Sequence, residues 1–242
     1  MPQLTAEPDP DADEQKPPAI TAREITMRGP FGPVYGPVDL DIAEGGVTAL
    51  VAPSGAGRTA LLLTLAGRMK PQSGEVTVLG RTRAKDIFDI SAVAAVEDID
   101  AVPESVTVAD VITEQRRWDA PWYRRVPRAG ADDLAALCGP VFGDLPLPPL
   151  GEYFDELTEL DRVLLRIALA NTSRPPLLVV GDFDHVTDDR NRELLAERLI
   201  ALGEQQTVVT ATVNPVSNPA VTHIAVPNTT PAELASAQKG EK

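Results

Sequence analysis

The stretch Val47–Met69, VTALVAPSGAGRTALLLTLAGRM, decides the fold class of this chain. Its first seven residues are almost entirely apolar, which is typical of a strand buried on both faces of a parallel sheet. A loop with two glycines follows at 53–57. Strong helix formers come next, and they predict a helix that ends near Gly67. The order strand, glycine loop, helix favours an α/β architecture.

The segments on either side extend this pattern. Alternating apolar residues and acids at 38–42 predict a half-buried N-terminal strand. Further strands are predicted at 75–79, 92–97, 175–182, 207–213 and 222–226, with helices between them, so we expect a mostly parallel core sheet beside an N-terminal antiparallel β region. A Pro-rich helical insertion is expected at about 98–170. Within it, one helix begins at Thr107, a second ends at Gly139–Pro140, and a third begins at Thr158.

Composition shifts divide the chain into three parts. Residues 1–18 hold five prolines and five acids with few large apolar side chains, so we expect a disordered tail. Residues 19–227 carry the periodic segments and form the expected domain. Residues 228–242 show no periodicity and are expected to be a flexible tail.

Charge and residue counts exclude several functional classes. The formal net charge is −14, from 22 basic and 36 acidic residues over 242 positions, so nucleic acid is excluded as a primary ligand. One cysteine and two histidines leave no disulfide framework and no cysteine-based zinc site. No apolar run approaches the length of a spanning helix, and the first residues are acidic and Pro-rich, unlike a signal peptide, so we expect neither. We expect a soluble intracellular protein.

The glycine loop is a candidate phosphate-binding site. Such loops bind phosphate through inward-pointing backbone N–H groups and the positive end of the helix dipole. The pattern G-x-x-x-x-G-K-[ST] is met at Gly57 and Thr59, but Ala52 replaces the first glycine and Arg58 replaces the lysine. The letters alone are a half match, and an ordinary glycine-rich turn is the alternative.

The order of segments from Ala19 to Val226 resembles the ATP-binding cassette of ABC transporters. Two strings carry the resemblance: ALVAPSGAGRTALLLTLAGRMKPQSGEVTVLGR at 49–81 and LLVVGDFDHVTDD at 177–189. The resemblance implies ATP and Mg²⁺ as cofactors, with Thr59 and Asp182 as the metal ligands. The implied nucleotide cradle consists of Ala52, Pro53, Ser54, Gly55, Ala56, Gly57, Arg58, Thr59 and Ala60.

Other family positions follow from the same alignment. The signature segment falls on Leu157–Asp161, and the family glutamine on Glu97 or Asp98. The D-loop aspartate falls on Asp189. The adenine-stacking aromatic falls on Phe31 or Tyr35.

Most residues that the family uses for hydrolysis are replaced. Phe183 stands at the catalytic glutamate and cannot accept a proton from an attacking water. Val213 stands at the switch histidine, and Glu159 and Leu160 replace signature glycines. We therefore name no catalytic residue and expect weak or absent hydrolysis, with Asp184 or Glu97 as candidate substitutes for the missing base.

The resemblance implies an ATP-binding subunit that couples nucleotide binding to a transmembrane permease subunit. A second nucleotide-binding subunit, identical or different, is a further expected partner. The expected location is cytoplasmic, on the inner face of the membrane through that partner. The alternative is a hydrolysis-deficient nucleotide-sensing or structural cassette without a transport role.

One group of basic and aromatic residues lies inside the helical insertion, between Arg116 and Arg128. It has two interpretations: a solvated helix face, or a contact with a membrane subunit or lipid headgroups.

Overall fold

A computed structural model describes residues 18–96, 99–103 and 105–234 of the chain, without the side chain of Asp182. The strands are β1 (Ile20–Gly29), β2 (Gly32–Ile42), β3 (Val47–Val51), β4 (Ser73–Val78), β5 (Ser91–Ala94), β6 (Leu177–Asp182), β7 (Thr207–Thr212) and β8 (Val221–Ala225). The α-helices are α1 (Ala56–Leu65), α2 (Ala84–Phe88), α3 (Val108–Asp119), α4 (Ala131–Phe142), α5 (Glu159–Ala170) and α6 (Asp189–Gly203). Of the expected disordered tail at 1–18, residues 1–17 lie outside the described residues.

The N-terminal strands form the expected antiparallel region. Their order is β2-β1-β4, with Ile20 opposite both Ile42 and Val78. Val38, Leu40 and Ile42 are buried while Asp39 and Asp41 between them are exposed, as the alternation at 38–42 predicts. This sheet covers one side of α1.

The core sheet is fully parallel, with strand order β5-β6-β7-β3-β8. β3 lies between β7 and β8, and residues 47–50 are buried, as its apolar run predicts. The carboxyl ends of β3, β6 and β7 therefore meet at one edge of the sheet, where ligands of open parallel sheets bind. The predicted α/β class, with its antiparallel region and parallel core, is confirmed.

The helical insertion contains α3, α4 and α5. Thr107 caps α3 in a reciprocal capping box with Asp110, and Thr158 caps α5, as expected. The predicted end of α4 at Gly139–Pro140 is wrong, because the helix continues to Phe142. Phe142 is fully buried, so its packing outweighs the hydrogen bond that Pro140 cannot donate.

Residues 228–234, expected to belong to a flexible tail, pack against the domain. The Gly36 N–H donates to the Asn228 carbonyl at 2.8 Å. Thr229 and Leu234 are buried, and the Glu233 carboxylate accepts from the backbone N–H of Thr229 at 2.9 Å. The folded domain thus extends at least to Leu234. Among the helices of residues 18–96, 99–103 and 105–234, none has both the length and the apolar character needed to cross a bilayer.

Candidate functional site

The glycine loop connects β3 to α1 at the carboxyl edge of the core sheet. The Ala52 N–H donates to the Thr212 carbonyl at 3.1 Å, which ties the start of the loop to the end of β7. Gly55 has φ +148°, a backbone conformation that favours glycine, and it immediately precedes α1. The first turn of α1 carries no acid and no side-chain cap. Its N–H groups and positive dipole end can therefore serve an anion.

A cavity of about 230 Å³ opens beside this helix end. The loop residues Ser54 and Gly55 line it together with Thr59 of α1. Drug-sized ligand pockets span roughly 300–1,000 Å³, so this cavity suits a chain of phosphates, whereas a base and a ribose would extend beyond it. The remaining lining residues are Ala56, Arg58, Leu62, Val96, Gly181 and His185.

His185 is a cavity residue that the sequence reasoning missed. The short 3₁₀ turn Phe183–His185 after β6 brings it to the cavity wall. The only sequence signal was its position three residues after Asp182.

Gly57 makes a close approach that only glycine allows. A Cβ at this position would lie 2.1 Å from the Thr229 carbonyl oxygen and 2.4 Å from that of Val34. Two segments far apart in sequence, the start of β2 and the C-terminal segment, therefore meet at the first turn of α1. The glycine that matches the phosphate-loop pattern is required here by packing as well as by the loop.

The structure buries Arg58 beneath the loop. Its side chain is only 3% exposed, and Nη1 donates to the Ala52 carbonyl at 2.9 Å and to Asp184 Oδ2 at 3.1 Å. Asp184 is 25% exposed, so water screens part of this ion pair, but less than it screens a pair at the surface. The cation at the lysine position is therefore engaged by the protein's own carboxylate.

The Asp184 carboxylate connects the first turn of α1, the end of β7 and helix α6. Besides Arg58, its carboxylate accepts from Thr212 Oγ1 at 3.0 Å and from the Val213 N–H at 2.8 Å. Arg192 of α6 lies 3.8 Å away. The substitute carboxylate expected from the sequence is thus held as an anchor between the glycine loop and the end of β7.

The positions that the resemblance links to hydrolysis are placed as follows. Phe183 is buried in the core, and Val213 is 41% exposed. Asp189 is the first residue of α6, which Asp188 caps. Asp182 ends β6 beside the loop, but its side chain lies outside the described part of the structure, as do Glu97 and Asp98.

The two aromatic candidates for stacking on adenine separate clearly. Tyr35 is 1% exposed and its hydroxyl bonds to Thr64 Oγ1 at 2.8 Å, so the expectation that it could stack on a base is wrong. Burial raises the pKa of the Tyr35 hydroxyl above its ordinary value. Phe31, at the β1–β2 turn, is fully exposed. It remains the candidate.

The segment Leu157–Asp161, which the resemblance aligns with the signature, forms the capped start of α5. Thr158 Oγ1 accepts from the Asp161 N–H at 3.1 Å, and Leu160 is buried. The Glu159 carboxylate accepts from the Thr187 N–H at 3.0 Å, and this bond holds the pKa of Glu159 below its ordinary range. Two acids in the first turn oppose the binding of a phosphate there.

The predicted Mg²⁺ site depends on two residues. Thr59 is one of the residues that line the cavity, and Asp182 is the last residue of β6. Elsewhere in the described residues, no group of three or more His, Cys, Asp or Glu side chains could hold a metal ion. A hydroxyl and a carboxylate are oxygen ligands of the kind that Mg²⁺ prefers, with water completing its octahedron.

Comparisons with known proteins identify the family. The family model described as ABC transporter matches residues 35–181. CcmA, the cytochrome c biogenesis ATP-binding export protein of Cupriavidus pinatubonensis, is 32% identical over 37% of this chain and 40% of its own length. The ABC transporter ATP-binding protein RamB of Streptomyces coelicolor is 30% identical over 75% of this chain and 30% of its own length.

Solved structures agree with the fold. An ATP-binding cassette, solved as a dimer in a post-hydrolysis state with ADP and Pi bound, superposes with a TM-score of 0.63 at 17% identity. The superposition covers 87% of this chain and 99% of that one. The matches to CcmA and RamB, in contrast, span less than half of each relative. Since the family model covers more than half of the sequence, the chain belongs to the ABC transporter family of ATP-binding cassettes.

Proposed function

We propose that this protein is the ATP-binding subunit of an ABC-type transporter complex, in which nucleotide binding drives a transmembrane permease subunit and hydrolysis by this chain is weak or absent. One observation carries the proposal. A cavity lined by Thr59 lies at the acid-free N-terminus of α1, while Phe183, at the position that the resemblance gives to the catalytic base, is buried.

The proposed nucleotide cradle is the segment Ala52–Ala60. Residues 53–56 are exposed, and Ser54, Gly55 and Ala56 carry the backbone N–H groups that would face the phosphates of ATP, since Pro53 has none. Thr59 and Asp182 would hold Mg²⁺ between the phosphates and the end of β6. When bound, that ion would neutralise phosphate charge. Phe31 would stack on the adenine outside the cavity.

We expect weak hydrolysis because neither Phe183 nor Asp184 is available as a general base. Loss of a positioned general base typically costs 10²- to 10⁴-fold in rate. The buried Phe183 ring offers no proton acceptor, and Asp184 is bonded to Arg58 and to Thr212. The site thus retains the loop that would bind the nucleotide but lacks a general base for hydrolysis at position 183.

A second nucleotide-binding subunit with an intact signature fits this arrangement. The chain's own signature segment is acidic, capped and partly buried, so it is a poor partner for the phosphate of an opposing nucleotide. A heterodimer in which the other subunit hydrolyses ATP would compensate. Through the permease, the protein would lie at the cytoplasmic face of the membrane.

One observation favours a second candidate function, a nucleotide-sensing or structural cassette without a transport role. The Arg58–Asp184 ion pair closes the site on itself, because the cation that would contact the phosphates is already bound by a carboxylate. A cassette held in this way could report nucleotide levels or serve as a scaffold without turnover.

Calorimetry with ATP and Mg²⁺, together with phosphate release on the same sample, tests the proposal. We expect saturable binding with little or no release, and loss of binding in Thr59→Ala. The matched control is Thr222→Ala, at an exposed position of β8. Absence of binding by the wild type would refute the proposal, and binding without any effect of a co-expressed permease would favour the sensing cassette.

A further inference from the structure

The segment that leaves α3 carries an exposed group of aromatic and basic side chains. Trp118, Trp122 and Tyr123 are 78, 95 and 75% exposed, and they are three of the eight exposed large hydrophobic residues in the described part of the chain. Five arginines share the same interval, 116–128. We call residues 116–128 the Trp–Arg patch.

A tight turn projects the aromatic pair from the protein surface. The Arg124 N–H donates to the Pro121 carbonyl at 2.8 Å, so Trp122 and Tyr123 occupy the two corner positions of the turn. Their rings pack edge to face with centroids 6.0 Å apart. Every residue from 121 to 125 is exposed. The pair is therefore preformed at the tip of the patch, where burial in the protein does not explain it.

The arginines divide into two groups. Arg116 binds Asp133 at 2.9 Å and Arg128 binds Asp110 at 3.2 Å, which fastens both ends of the patch to the helical insertion. In the part of the chain that the structure describes, the other three form no ion pair and are exposed. They are Arg117, Arg124 and Arg125.

The local charge of the patch opposes the charge of the whole protein. Asp119 is the single acid within residues 116–128, whereas the chain as a whole has a net charge of −14. Arginines beside a tip of tryptophan and tyrosine suit an anionic membrane surface, which offers both charged phosphates and a less polar headgroup region. Guanidinium groups bind lipid phosphates in general, and tryptophan and tyrosine rings favour the headgroup level.

We propose that the Trp–Arg patch binds the anionic lipid surface of a membrane directly. A flat surface meets only this tip, while a long polyanion such as a nucleic acid would also run along acidic regions of the protein. The contact needs neither bound nucleotide nor a protein partner, so it stands independently of the function proposed above.

The tryptophans of this chain provide a specific probe. The sequence contains two, and both lie in the patch, so tryptophan emission reports on the patch alone. With vesicles rich in an anionic phospholipid we expect a blue shift of the emission and co-sedimentation of the protein. Both effects should weaken as salt is added, and zwitterionic vesicles should give neither.

Charge reversal of the two tip arginines tests the electrostatic part. Each basic side chain near an anionic leaflet contributes about a five-fold factor, so Arg124→Glu with Arg125→Glu should lower vesicle partitioning by at least about 25-fold. The matched control is Arg81→Glu with Arg83→Glu, an equal charge change at exposed positions outside the patch. This control should lose much less of its vesicle partitioning. Circular dichroism checks that both proteins fold.

A second variant keeps the charge and removes the tip. Trp122→Ser should abolish most of the blue shift while leaving ATP calorimetry unchanged. The proposal is overturned if wild type shows no preference for anionic vesicles, or if both charge-reversed proteins lose equal affinity. It is also overturned if a short single-stranded oligonucleotide binds the patch more tightly than the vesicles do, which would identify a nucleic-acid contact.

Discussion

The replacement Asp184→Asn tests whether the Arg58–Asp184 pair holds the glycine loop closed on itself. Asparagine preserves the shape of the side chain but has one acceptor oxygen in place of two and carries no charge. The wild-type carboxylate accepts from Arg58 at 3.1 Å, from Thr212 at 3.0 Å and from the Val213 N–H at 2.8 Å. At least one of these three donors must therefore lose its acceptor.

The expected loss of stability follows from burial. A hydrogen bond to a charged group contributes about 1.5–3 kcal/mol, and breaking a fully buried ion pair costs about 3–5 kcal/mol. The Arg58 side chain is 3% exposed but Asp184 is 25% exposed, so solvent screens part of the interaction. We expect a loss of about 2–3 kcal/mol, which corresponds to a fall in Tm of roughly 5–10 °C for a domain of this size.

Asp41→Asn is the matched control. Asp41 accepts two hydrogen bonds from Arg23 at 2.7 and 2.8 Å, but both side chains are 53% exposed. A surface pair of this kind contributes about 0–1 kcal/mol. Urea unfolding followed by circular dichroism measures both variants. Equal losses in the two would refute the assignment of Asp184 as the anchor of the loop.

Nucleotide affinity provides the second measurement on the same variant. If Asp184 competes with phosphate for Arg58, its neutralisation should raise the affinity for ATP and Mg²⁺ by about ten-fold, the equivalent of one charge-assisted hydrogen bond. Calorimetry on wild type and Asp184→Asn measures this change. Lost stability without a gain in affinity would show that the pair is structural and does not compete with the nucleotide.

Three further predictions concern packing, titration and stacking. Gly57→Ala should lose about 1–3 kcal/mol in urea unfolding, because its Cβ would lie 2.1 and 2.4 Å from two backbone oxygens, whereas Gly151→Ala, in open space, should not. Burial raises the pKa of the Cys138 thiol from 9.0 to about 12, so the free energy of unfolding should be unaffected by this group below pH 9. It should then fall by up to about 1.4 kcal/mol per pH unit as pH rises toward 12, relative to Cys138→Ala; a constant difference between the two proteins would contradict this. Tyr35→Ala should cost about 3–5 kcal/mol of stability. Phe31→Ala should cost under about 0.5 kcal/mol but weaken ATP binding, and unchanged ATP affinity in Phe31→Ala would remove it as the stacking residue.

The sequence by itself determined the class of fold and the location of the loop. These features depend on local patterns: the apolar run of β3, the glycines before α1, and the caps at Thr107 and Thr158. Each arises from interactions within a few residues, so its physical cause can be inferred before any tertiary contact is known. The sequence also gives Phe183, which the resemblance places at the base position, and a phenyl ring cannot accept a proton in any conformation.

Tertiary structure alone decided how those residues are used. Arg58 and Asp184 are 126 residues apart, and only the meeting of β3, β6 and β7 at one sheet edge brings them together. Tyr35 cannot stack on a base because its ring is buried in the core beneath the N-terminal sheet. Likewise, α4 continues past Pro140 because the buried Phe142 outweighs a local helix-breaking signal. Side-chain direction and burial depend on contacts between distant segments, and a local pattern contains no record of those contacts.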